Sequence, residues 1–312
     1  MTETTTILAS LAPVFLVMAL GYGAGHTRDF DSHNIGSLNA LVMDFALPAA
    51  LFTAMAQASR QAMLDQAWLA LVLLGAMLTV YGATYYVERL GFGSDRRESA
   101  LIALTASGPN VGSAGLPIVA ALFSKSAAIS VAVAVAVAAI VVTPISLLLL
   151  ESADGKGASL FSVMKKALLQ PIVIAPVAGL ICSLAGFSLP PLVESTLTLV
   201  GQGASGTALF LTGLVLSAQP LQPSVNVGWA VAMKNVLQPC LAGLLALPLL
   251  DGVEARVAVM LTAVPSGAFG VLFAIRYGVA SAQIGTMLIA STLLSTLTLT
   301  AAILLSAGWS WA

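Results

Sequence analysis

The stretch TASGPNVGSAGLP, residues 105–117, interrupts a long apolar run. Ile102, Ala103 and Leu104 lead into it, and Ile118, Val119 and Leu122 lead out. A proline inside a helix removes a backbone hydrogen bond and clashes with the preceding turn, at a cost of about 3 kcal/mol or more. Asn110 adds an amide that is expensive to place in hydrocarbon. What makes such a break tolerable decides the fold.

The surroundings of the break are apolar throughout. The chain is 59% hydrophobic and 8% charged, against roughly 25% charged in a soluble domain, and its mean hydropathy is +1.00. Those values describe an all-α integral membrane protein. The opening MTETTTILASLAP has no positive segment and no evident cleavage site, so it reads as the start of a first span. Cys182 and Cys240 lie in apolar segments and suggest neither a disulfide framework nor a metal site. No basic stripe points to nucleic acid.

A span needs roughly 20 apolar residues. Ten candidates follow, at about 5–25, 34–57, 66–88, 98–123, 126–150, 163–185, 191–218, 225–250, 254–277 and 281–306. The expected organisation is a first five-helix repeat over 1–150, a cytoplasmic linker at 151–162 (ESADGKGASLFS), and a second repeat over 163–312. With the N-terminus outside, cytoplasmic connections hold Arg28, Arg89, Arg96, Arg97, Lys156, Lys165, Lys166 and Arg276, and outer ones hold Arg60, Lys125 and Arg256. Eight basic residues against three place both termini outside by the positive-inside rule. The expected location is the inner (plasma) membrane, crossed many times.

Five spans per half require any internal repeat to be inverted. ESALIALTASGP runs from Glu98 to Pro109, and EARVAVMLTAVP from Glu254 to Pro265; the Glu-to-Pro spacing is eleven in both and the offset is 156. Pro13 and Gly21 of span 1 have counterparts in Pro171 and Gly179 of span 6, and Leu51-Phe52 echoes Leu209-Phe210. Matching breaks in two inverted halves are the sequence pointer to a transporter site near the midplane. Irregular backbone at that depth is tolerated where protein or a watery cavity surrounds it. Helices 4 and 9 are therefore expected to break and cross at Pro109 and Pro265, offering free backbone groups and helix N-termini to an anion. The plainer alternative is an ordinary proline kink.

At these residues the chain resembles the auxin efflux carrier family. LNALVMDFALPAALF (38–52) resembles that family's second span, GPNVGSAGLP (108–117) its fourth-span crossover, VPSGAFGVLFAIRYG (264–278) its ninth-span crossover, and TLLSTLTLTAAILL (292–305) its tenth span. The resemblance covers nearly the whole chain. It implies a scaffold of helices 1, 2, 6 and 7 and a transport domain of helices 3–5 and 8–10. It further implies elevator-type movement of a small organic anion, malonate-like or auxin-like, bound near Asn110, Pro109, Pro265 and Ser266. A homodimer through scaffold helices is what the family suggests. Plant members often carry Gln at the place of Ser266 and a long loop after span 5, which points away from auxin itself.

Asn110 leads the candidate substrate-binding residues, because its amide can donate to a carboxylate; the alternative is a cap for the broken helix. Asn39, Asn235, Gln170, Gln202 and Gln238 are intramembrane amides that glue helices together or line the path, and Asn39 joins the substrate-binding candidates. Asp44 and Lys234 are charges within spans, each costing roughly 2.5–3.5 kcal/mol to insert. Both fall roughly 13–16 Å deep, which permits an ion pair; this pair, or a proton on Asp44, is expected to couple substrate movement to conformation. A structural pair, or direct attraction of the anion by Lys234, are the alternatives. Arg276 reads as an interfacial anchor. GQGASG (201–206) has no preceding strand, so close helix packing explains it better than a dinucleotide. His26 and His33 read as solvated.

These features describe a secondary transporter, with a channel or ligand-binding sensor of the same fold as the alternative. No enzyme is expected, since catalysis would need clustered Ser/His/Asp, paired carboxylates or metal ligands at membrane depth. No Walker-type sequence and no cofactor site is evident, and proton or sodium coupling stays open.

Overall fold

The computed structural model describes residues 3–27, 32–115, 118–119, 122–123, 127–152, 161, 165, 169–217, 221–280 and 282–306. Pro117 and most of the expected linker at 151–162 lie outside them. Among the described residues every regular element is helical, joined by one isolated bridge of extended backbone.

Helix α1 spans Glu3–His26. Helix α2 runs from Ser32–Ala40 through a π-helical segment, Leu41–Ala46, into Leu47–Gln57. A short α3 (Arg60–Asp65) precedes α4 (Ala67–Leu90) and α5 (Arg96–Ser107). Beyond a π-helical segment at Val111–Gly115, α6 joins Ala127–Val137, a π-segment Ala138–Val142, and Thr143–Ser152. Then come α7 (Pro171–Leu184) and α8 (Pro191–Ser217). Helix α9 combines Val225–Ala232, the π-segment Met233–Leu237 and Gln238–Ala246. Helices α10 (Gly252–Ala263), α11 (Phe269–Tyr277) and α12 (Ala282–Ser306) complete the order.

Four helical stretches among the described residues are long and apolar enough to cross a membrane: Ile35–Gln57, Ala67–Leu90, Ile129–Ser152 and Ala282–Ser306. That is fewer than the ten spans the hydropathy pattern suggests. Part of the difference is physical. Helices α5 and α10 have 12 residues each, so each is about 18 Å long at a rise of 1.5 Å per residue. A hydrocarbon core of about 30 Å exceeds either alone.

The two short helices are built alike. Asp95 caps α5 by accepting from the backbone N–H groups of Arg97 and Glu98, and Asp251 caps α10 by accepting from that of Glu254. Each cap satisfies amides that a helix N-terminus leaves orphaned. Both helices end because a proline follows. The residue before proline is pushed out of helical backbone, and Gly108 (φ −93°, ψ 97°) and Val264 (φ −59°, ψ 155°) are both extended.

Packing brings α1 against α8, and α2 against α7 and α8; elsewhere α4 meets α5 and α9, and α10 meets α9 and α12. The α1–α8 contact is backbone to backbone. A Cβ on Gly21 would lie 1.9 Å from the Phe210 carbonyl oxygen, so only glycine fits there. Small residues give this close approach where lipid offers no hydrophobic drive.

Candidate functional site

The two breaks meet. Asn110 N–H donates to the Pro265 carbonyl at 2.7 Å, and Gly267 N–H donates to the Gly108 carbonyl at 2.7 Å. Pro109 and Ser266 thereby face each other in an antiparallel bridge. Neither proline has an N–H to offer; Asn110, after Pro109, and Gly267, after Ser266, supply the ladder. The unwound backbone is satisfied by its partner segment, which is what buried polar backbone requires.

Helix α9 holds the ends of both broken helices. Gln238 Nε2 donates to the Ser107 carbonyl at 2.6 Å, and Lys234 Nζ donates to the Thr262 carbonyl. The two donors are four residues apart and so share a helix face. Lys234 is wholly buried. Its ammonium sits at the C-terminal end of α10, where unpaired carbonyls favour a cation. Beside it, Asn235 Nδ2 donates to the Ser291 carbonyl at 2.9 Å, and Ser291 Oγ donates to Asn235 Oδ1 at 2.7 Å. Ser291 Oγ also receives the Ser266 N–H at 3.0 Å. The crossover is thus fastened from behind by α9 and α12.

In front of it lies a cavity of about 530 Å³. Its walls come from the second part of α2, from α6, α8, the start of α11 and the crossover itself, and they are almost wholly apolar. The side chains that carry polar atoms are Asn110, Thr143, Gln202 and Ser205. No Lys, Arg or His is among the described residues that line it. Gly201 belongs to the wall because α8 runs against α2: a Cβ there would come within 2.8 Å of the Ala50 Cα. Close helix packing therefore accounts for the glycine that opens GQGASG.

The candidate residues divide accordingly. Asn110 and Pro109 line the cavity. Pro265 and Ser266 belong to the crossover but not to the cavity lining; Ser266 is 1% exposed and turned to Ser291. Asn39 is buried, does not line the cavity and donates to the Leu272 carbonyl of α11 at 3.1 Å. Asp44 and Lys234 do not pair in this structure. Asp44 accepts from Arg276 at 2.7 Å, with the two side chains 32% and 31% exposed, whereas Lys234 is turned into the bundle. Equal depth fixes height in a membrane but not the direction a side chain takes around its helix. Arg276, read from sequence as an anchor, is the actual partner.

Ser205 and Thr143 carry no sequence signal that marks them for the site. Gln202 was visible as one intramembrane amide among several, but nothing in sequence says that α8 faces the crossover.

Comparison with known proteins gives a consistent picture. The sequence model of the family described as "Membrane transport protein" matches residues 6–303. The "Uncharacterized transporter YfdV" of Escherichia coli (strain K12) is 30% identical over 281 residues, covering 88% of this chain and 90% of the relative. A "Putative malonate transporter" of Rhizobium meliloti (strain 1021) is 25% identical over 309 residues, covering 94% of each. An "Uncharacterized transporter" of Methanothermobacter thermautotrophicus is 24% identical over 304 residues, covering 96% of this chain and 97% of the relative.

Proposed function

We propose that this chain, which belongs to the membrane transport protein family, carries small organic anions as a secondary transporter and binds them at the α5/α10 crossover. The observation that carries this reading is the paired break: two short helices stop at Pro109 and Pro265, and the extended segments that follow them hydrogen-bond to each other beside a cavity. Broken helices at matching positions are the usual ground plan of such a site. The ten-span, five-plus-five inverted repeat belongs to this proposal, as do both termini outside, the scaffold and transport domains, and elevator-type alternating access. The repeated Asp-cap, helix and proline over 95–109 and 251–265 support the repeat.

The cavity also bears on the substrate. Anion recognition would come from the Asn110 amide and from the first N–H groups of α11, which starts at Phe269 on the cavity wall. Those groups suit one carboxylate. A dianion such as malonate would bring a second charge against apolar walls with no cationic side chain among the described lining residues to meet it, and an unpaired buried charge is costly. An organic acid with one carboxylate and an apolar body fits better. Malonate, named for the Rhizobium relative, is the natural competitor. Asp44 and Lys234 keep a place in coupling as separate parts, one in the ion pair with Arg276 and one at the crossover.

Counterflow in proteoliposomes tests the reading. Vesicles loaded with unlabelled acid receive labelled acid outside, using phenylacetate, indole-3-acetate and malonate in turn. Overshooting uptake of a monocarboxylate, lost in Asn110→Ala, supports the proposal. Uptake of malonate alone would sink the monocarboxylate argument. Flux without counterflow would indicate a channel, and binding without flux a sensor.

A further inference from the structure

Tyr277 is the last residue of α11, and its hydroxyl is used twice. Gln170 Nε2 donates to Tyr277 Oη at 2.9 Å, and Tyr277 Oη donates to Glu151 Oε1 at 2.8 Å. A phenol has one proton to give and lone pairs with which to accept, so this single group joins two other helices to its own. Gln170 holds the N-cap position of α7, yet its side chain does not cap that helix. Glu151 stands in the last turn of α6. Beside Tyr277, Arg276 makes the ion pair with Asp44 of α2. Consecutive helical residues point about 100° apart. The last turn of α11 thus reaches α2 on one side and α6 and α7 on the other.

These contacts lie at one end of the crossover cavity. Asp44 comes about one turn before Leu47, the first lining residue of α2. Glu151 lies about two turns beyond Thr143, the last lining residue of α6, and Tyr277 about one turn beyond Leu272, the last of α11. Between them the cavity walls are almost wholly apolar. Apolar surfaces have no directional bond to break when they part, whereas the polar cluster at the end of α11 has several.

The cluster is also made to let go. Gln170 is 8% exposed, and its Oε1 is buried with no hydrogen-bond partner among the described residues. A buried acceptor left unsatisfied is costly, so holding Tyr277 leaves Gln170 half satisfied. Arg276 and Asp44 are each about a third exposed, where water competes with the pair. Helix α11 stops at the next residue, Gly278, whose left-handed backbone (φ 64°) turns the chain away. The contacts therefore sit at a free helix end.

We propose that Tyr277 is the pin of a latch that keeps the cavity shut at this end. With its hydroxyl on Gln170 and Glu151, and with Arg276 on Asp44, the end of α11 is held against α2, α6 and α7. Release of the pin opens a water path into the cavity from that membrane face. The inference rests on the reading of the cavity as a transport site, but its test needs no substrate.

The test measures access to the cavity. In the full chain with Cys182→Ser and Cys240→Ser, Ser205→Cys places one thiol on the cavity wall. A membrane-impermeant maleimide is added to sealed right-side-out and inverted vesicles, and the labelling rate is read from each face. Ala280→Cys, in place of the cavity thiol, marks the face at which α11 ends, since Ala280 is exposed just beyond it. Tyr277→Phe keeps the ring against Phe273, with centroids 6.3 Å apart, and removes only the hydroxyl. It is expected to raise labelling of the cavity thiol several-fold from the marked face and to leave the other face unchanged. Glu151→Leu should do the same. Glu151→Gln keeps an acceptor for the tyrosine hydroxyl and should label at the wild-type rate. Should Tyr277→Phe fail to fold, Gln170→Leu and Glu151→Leu carry the test. Labelling that is unchanged, raised from both faces, or raised from the far face alone would overturn the latch. Labelling as expected together with failed counterflow would sink the transport reading alone, and the reverse outcome the latch alone.

Discussion

Arg276, in the last turn of α11, donates to Asp44 in the π-helical segment of α2 at 2.7 Å. The pair ties the helix that begins at the crossover to a helix that forms part of the cavity wall. Asn39 adds a second tie one turn away, through the Leu272 carbonyl. Both side chains of the ion pair are about a third exposed, so the pair contributes at most about 1 kcal/mol to stability. Asp44→Asn and Arg276→Gln should therefore leave the unfolding midpoint nearly unchanged. If α11 moves against α2 during transport, each single variant should change the uptake rate by several-fold. The charge-swapped double variant, Asp44→Arg with Arg276→Asp, should recover much of it. Equal rates in all variants would show that the tie does not gate movement.

Lys234 and Gln238 are expected to behave in the opposite way. Each is wholly buried and each satisfies the end of a broken helix. Gln238→Leu leaves the Ser107 carbonyl without its side-chain donor, and Lys234→Met does the same to Thr262. An unsatisfied buried group costs roughly 1–3 kcal/mol. Thermal unfolding in detergent should fall for both, by several degrees. A variant with normal stability would show that water replaces the lost donor.

Asn110→Ala separates structure from recognition. The crossover bond uses the backbone N–H of Asn110, which alanine keeps. The expected result is a near-normal unfolding midpoint with anion uptake reduced at least about tenfold, the factor that 1.4 kcal/mol of lost binding produces. A large drop in stability would assign the side chain to capping instead.

Gly201 and Gln202 probe the far wall. Gly201→Ala would drive a methyl group against the Ala50 backbone and should destabilise by roughly 1–3 kcal/mol through overpacking. Gln202→Leu removes a polar group from the cavity lining without that clash. It should raise KM for a carboxylate several-fold while leaving the unfolding midpoint close to wild type. Unchanged KM would remove Gln202 from the site.

Much of this was legible beforehand because it depends on local chemistry. Apolar composition specifies lipid as the solvent. Pro109 and Pro265 stop their helices wherever the helices lie, since a proline constrains its own neighbours. The Glu-to-Pro spacing repeated at offset 156 marked the two breaks as counterparts. Asn110 followed, as the amide next to one of them. The transporter family was likewise legible, through motifs at those two breaks and at 38–52 and 292–305.

Partner choice was not legible in that way. Asp44 and Lys234 were matched by depth, yet Asp44 meets Arg276 and Lys234 meets the Thr262 carbonyl. Sequence position gives the height of a residue along its helix; only packing gives the direction in which it points and the neighbour it finds there. The same reason hid Ser205 on the cavity wall and left Gln202 as one amide among several. The chain's own chemistry determined where its helices break. The tertiary structure decided which breaks, charges and amides stand face to face, because those contacts join residues far apart in sequence.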